Sequence, residues 1–133
     1  MNPDLTESKT HLLTQKEQQA AEAFLERLNR RFPEQILQAI LFGSKARGDS
    51  RADSDIDILL IVDTDDWRFS HQISAIAADV SLEYNVLLGP RVIGRAHWER
   101  MERERFSLYQ NVAVDGIPLL RKQGPRSLGP GGL

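Results

Sequence analysis

The chain has 133 residues, 41% hydrophobic and 27% charged, the size and balance of one globular domain with a core of its own. Its 17 basic and 19 acidic residues leave a formal net charge of -2 at pH 7, whereas a dedicated duplex nucleic-acid binder needs a clear basic excess. With no cysteine, disulfides, thiolate metal sites and cysteine nucleophiles are excluded. The longest apolar run, 56–62 interrupted by Asp57, is too short to span a bilayer. The N-terminal residues lack the basic-then-apolar pattern of a secretory signal, so a cytoplasmic protein without membrane contact is expected.

Residues 1–13 are polar and without a clear period, and are expected to be a flexible lead-in. Thr14-Gln15-Lys16-Glu17 has the spacing of a capping box. Behind it Ala21, Phe24, Leu25, Leu28 and Phe32 recur at helical spacing, and Pro33 ends the helix. Residues 36–42 read as a buried strand that stops at Gly43-Ser44, followed to Ser54 by loop with at most one turn of helix. The strongest strand signal is 55–62. Phe69, Ile73, Ile76, Ala77 and Val80 then form a second helical stripe, and 84–88 is a third strand candidate closed by Gly89-Pro90.

Residues 96–112 put Trp98, Met101, Leu108, Tyr109 and Val112 on one side of a helix, opposite a dense mixed-charge face. Residues 114–120 are expected to form a small edge strand or extended stretch. The segment 122–133, with four glycines and two prolines, is expected to be a disordered tail, which leaves 14–121 as the folded domain. The order is that of a compact α/β (α+β) domain with a small mixed sheet flanked by helices.

The chemistry concentrates in Gly43-Ser44-Lys45-Ala46-Arg47-Gly48 and Ser54-Asp55-Ile56-Asp57. Alternation along a strand points Asp55 and Asp57 to the same side, and two such carboxylates call for a hard cation such as Mg2+. A glycine lets backbone approach a phosphate closely, and the N–H groups and hydroxyl after it can cradle phosphate oxygens. Lys45 and Arg47 could neutralise a triphosphate. These parts suit nucleotidyl transfer, with Gly43, Ser44, Lys45 and Arg47 as nucleotide-binding candidates and Asp55 and Asp57 as metal-binding and catalytic ones.

Gly43-Ser44, ten residues, then Asp55-Ile56-Asp57 resembles the signature of the DNA polymerase β nucleotidyltransferase superfamily. The fuller string through Gly48 is similar to the minimal nucleotidyltransferases, single-domain antitoxins of HEPN-domain ribonuclease toxins. The resemblance implies a polymerase β-like fold and Mg2+-dependent transfer of AMP from ATP to a hydroxyl, most often a tyrosine, of a HEPN toxin partner. It also implies a third carboxylate on the third strand. The best alignment places Asn85 there, with Glu83 two residues earlier on the same face as a substitute. An amide oxygen can ligate Mg2+ but accepts no proton at neutral pH.

For the shared site to form, the first two strands must be antiparallel and the third parallel to the second through a right-handed crossover. An antitoxin that occludes its toxin without chemistry is the alternative reading, and a small-molecule transferase of the antibiotic-modifying kind the third. His11, His71 and His97 show no paired metal spacing; Trp98, Phe106 and Tyr109 read as core or interface residues; Asp49 and Asp53 read as loop residues.

Overall fold

The structure, a computed structural model, describes residues 12–48, 54–64 and 66–121. The lead-in through residue 11 and the segment 122–133 lie outside these. Thr14 caps helix α1 (Gln15–Arg31) with a complete capping box: its Oγ1 accepts from the Glu17 N–H at 3.1 Å, and Glu17 Oε1 accepts from the Thr14 N–H at 2.9 Å. Ala20, Ala21, Phe24 and Leu28 form the buried stripe of this helix. The core starts slightly before the expected domain start, since Leu13 is buried and Leu12 packs against the same cluster.

Strands β1 (Ile36–Phe42) and β2 (Ile56–Val62) pair antiparallel, with Phe42 opposite Asp57 and Leu41 opposite Ile58. Between them lies the one-turn helix α2 (Ser44–Arg47). Helix α3 (Trp67–Tyr84) carries the chain back, and β3 (Leu88–Gly94) pairs parallel with β2, as the crossover requires. Helices α4 (Arg95–Arg103) and α5 (Ser107–Asp115) follow. Strand β4 (Ile117–Arg121) then closes the sheet antiparallel to β1, giving the order β3-β2-β1-β4.

The sheet separates two apolar layers. On one face, α1 and α3 pack on Ile36, Ala39, Leu41, Ile56, Ile58, Leu60 and Val62. On the other, α4 and α5 cover Leu59, Ile61 and Ile93. Burial on both faces explains why β2 reads as a nearly continuous apolar run.

Two expected elements are corrected. The third strand is not 84–88: α3 runs on to Tyr84, Asn85 ends it in the left-handed conformation (φ 55°, ψ 49°), and its N–H donates to Ser81 O. Asparagine is one of the few residues that tolerate this cap. The chain then needs three more residues to reach the sheet, so β3 begins at Leu88, and as an edge strand it accommodates Pro90.

The single helix expected over 96–112 is two helices, broken where Arg105 takes φ 57°. The apolar side survives the break because the two helices fold against each other. Met101 and Val112 are buried, and the Trp98 and Tyr109 rings lie 4.9 Å apart.

Candidate active site

The β1–β2 pairing brings Gly43, at the end of one strand, beside Asp57, at the start of the other. Gly43 sits at φ 79°, ψ -157°, a conformation open essentially to glycine alone, and any Cβ there would collide with Asp57 Oδ2. The motif glycine is therefore required twice, by its backbone and by the carboxylate lying against it.

Asp55, exposed, and Asp57, half-buried, point to the same side of the sheet. A Cβ built at Gly89 of β3 would lie 3.2 Å from Asp57 Oδ1 and 3.8 Å from Asp55 Oδ2, so both carboxylates converge on that point. The Asp57 carboxyl is pushed up from the usual range, first by burial and then by the negative charge of Asp55, with Arg47 pulling partly the other way. Arg47 thus stands close enough to act on Asp57. Two hard oxygen donors converging with their charge only partly offset fit a divalent ion such as Mg2+. Among the described residues no group of three or more His, Cys, Asp or Glu is arranged to hold a metal.

Ser44 opens the α2 turn, whose backbone bonds run from the Arg47 N–H to Gly43 O (3.1 Å) and from the Gly48 N–H to Ser44 O (2.9 Å). The first N–H groups of a helical turn are not used within it, which leaves this end suited to an anion.

Three sequence-assigned residues lie elsewhere. Lys45 is 3% exposed, and its ammonium donates to Glu17 Oε2 at 2.6 Å. This contact anchors the motif to the capped end of α1. The Glu17 carboxyl feels burial most strongly, which raises its pKa, but the Lys45 and Thr14 hydrogen bonds outweigh that and hold it below the ordinary value.

Glu83 belongs to α3, packed on the sheet face opposite Asp57, and its Oε1 accepts from Arg27 Nη2 at 2.6 Å. Asn85 is a helix cap and not a strand residue. The third-strand position facing the two aspartates is Gly89, paired with Asp57 in the β2–β3 register. Sequence reasoning missed its role because Gly89-Pro90 was read as the end of a strand. Shifting the register four residues later would have found it.

This mixed sheet, with paired aspartates at a strand start against a Gly-Ser turn, has the architecture of a nucleotidyltransferase. Residues 21–112 match the nucleotidyltransferase domain family, and the chain belongs to that family. It is 32% identical over 100 residues to a candidate protein adenylyltransferase of Methanocaldococcus jannaschii, covering 75% of this chain and 94% of that protein. A second protein of that organism with the same description is 41% identical over 54 residues, 40% of this chain and 54% of its own length.

Among solved structures, a toxin–antitoxin complex with AMP-PNP superposes with a TM-score of 0.52 at 22% identity, covering 77% of this chain and 74% of that one. A variant of the MntA–HpeT toxin–antitoxin pair gives 0.53 at 20% identity, covering 77% and 73%. These share the fold. No helix among the described residues is long and apolar enough to cross a membrane.

Proposed function

We propose that this nucleotidyltransferase is a Mg2+- and ATP-dependent protein adenylyltransferase that silences a toxin partner in the cytoplasm. The supporting observation is the convergence of Asp55 and Asp57 beside Gly43, in a chain related to candidate protein adenylyltransferases. Asp55 and Asp57 hold the divalent ion, which when bound polarises the α-phosphate and offsets charge on the triphosphate. Gly43 lets the triphosphate approach the backbone, the Ser44 N–H and hydroxyl bind its oxygens, and Arg47 adds positive charge at the same mouth.

The acceptor oxygen attacks the α-phosphorus and the bond to the bridging oxygen breaks. Pyrophosphate leaves, and the hydroxyl proton passes to solvent. The acceptor proposed from the family resemblance is a tyrosine of a HEPN ribonuclease toxin, whose phenol ionises near pH 10 and so needs less help from a base than an alcohol does.

The test is incubation of the protein with ATP, Mg2+ and the product of its neighbouring gene, read by intact mass. The expected result is a gain of one or more AMP units on the partner, absent with Asp55→Asn/Asp57→Asn. Equal labelling by a folded double variant would overturn the mechanism. The second reading, an antitoxin that neutralises by binding alone, is favoured by one observation, the lack of a side chain at Gly89 facing the aspartates. It expects the double variant to neutralise the partner undiminished when the two are expressed together.

A further inference from the structure

The position that faces the two aspartates across β2 and β3 carries no side chain. Gly89 pairs with Asp57 in register, and its Cα looks onto both carboxylates, with room for a Cβ only at 3.2 Å from Asp57 Oδ1. Alternation along β3 makes Arg91 the next residue on that face, at the level of Leu59. On the other flank Arg47 already acts on Asp57.

Two-metal sites hold their ions about 3.5–4 Å apart, which brings four positive charges into a small volume. A triphosphate neutralises the ion on its own side. The ion on the acceptor side has to be held by protein carboxylates, and here two carboxylates would be shared between both ions, with the Arg47 guanidinium acting on one of them. We infer that Gly89 makes this a one-ion site: the chain binds a single divalent cation, with the nucleotide, between Asp55 and Asp57, and the described residues offer no seat for a second. The inference rests on the nucleotidyltransferase reading of the site and goes beyond it, since it assigns the metal count to one residue.

The test is the number and position of ions in crystals of the protein grown with α,β-methylene-ATP and Mn2+, located by anomalous scattering. One peak between Asp55 and Asp57 is expected in the wild type, and a second beside residue 89 in Gly89→Asp. Two peaks in the wild type overturn the inference and point to a ligand outside the described residues. A single peak in a folded Gly89→Asp variant overturns the assignment to Gly89. Nucleotide without any peak at Asp55 and Asp57 overturns instead the metal reading of the site on which the inference rests. Should Gly89→Asp fail to fold, the wild-type count decides alone.

Discussion

Two pairs of charges flank the β1–β2 connection, and they are built in opposite ways. Glu17 and Lys45 are opposite charges, 8% and 3% exposed at the side chain, 2.6 Å apart, and closed off from solvent. Asp55 and Asp57 are like charges on an open surface, converging on a point that no side chain occupies. The first pair fixes the motif to α1. The second gives up stability to self-repulsion, which is the arrangement expected of groups kept for a ligand. Within a dozen residues, then, one conspicuous charge of the motif is turned inward to hold the loop and two like charges converge beside Gly89.

The largest effect that would break this contrast is on activity. Asp55→Asn/Asp57→Asn should lower AMP transfer by about a thousandfold or more, because metal-assisted stabilisation amounts to several kcal/mol at about 1.4 kcal/mol per tenfold. Thermal melting should show stability unchanged or raised, since a repulsion is removed. Lys45→Met should do the reverse to the fold. Leaving Glu17 buried without its cation costs about 3–5 kcal/mol, whereas Lys45→Met with Glu17→Gln should recover part of it, since no buried charge is left and the hydrogen bond from the Thr14 N–H is kept. Urea melts of the three variants separate a pair that holds the loop from one that merely sits there.

Gly43→Ala comes next, joining the two halves of the motif. The strained backbone alone should cost about 1–3 kcal/mol, and the new methyl group displaces the Asp57 carboxylate, so transfer and stability should fall together. Acid probes the inner pair once wild type is set against Glu17→Gln, because Asp57 and Asp66 also titrate away from their ordinary values. Because the folded state holds the Glu17 carboxyl below its ordinary 4.5, its stabilising contribution is complete above that pH and is lost as the pH falls through the lower folded value. Wild type should therefore lose stability more steeply below about pH 4.5 than Glu17→Gln, as followed by circular dichroism.

How much of this was legible in the sequence varies by element. β2 could be read directly, since a seven-residue run with six apolar residues, flanked by turn residues, admits little else, and the capping box predicted the Thr14 start to the residue. The requirement that Ser44 and Asp55 share one ligand was enough to derive the antiparallel β1–β2 pair and the parallel β3. The position of β3 was not legible. A short apolar run such as 84–88 serves equally as a helix end and as a strand, and only the left-handed Asn85 decides between them. With the strand starting four residues later than expected, the residue opposite Asp57 is Gly89, where the sequence had pointed to Asn85. The α4–α5 break had no signature either, since it occurs at Arg105 within a charge run and without glycine or proline. Glu17 and Lys45 each carried a local signal, but nothing local links residues 28 positions apart.

The smallest expected effect sharpens the contrast most. Glu83 was the sequence's substitute for a missing third ligand, yet its carboxylate lies 55% exposed against Arg27, on the side of the sheet away from Asp57. An exposed pair of this kind is screened by solvent and pays for its geometry in side-chain freedom. Glu83→Gln should therefore leave AMP transfer and its Mg2+ dependence at wild-type levels and shift the melting temperature only slightly. A large fall in transfer with the fold intact would put Glu83 at the metal and the α3–β3 placement in error; a wild-type rate would confine the reacting groups to the face that carries Asp55, Asp57 and Gly89.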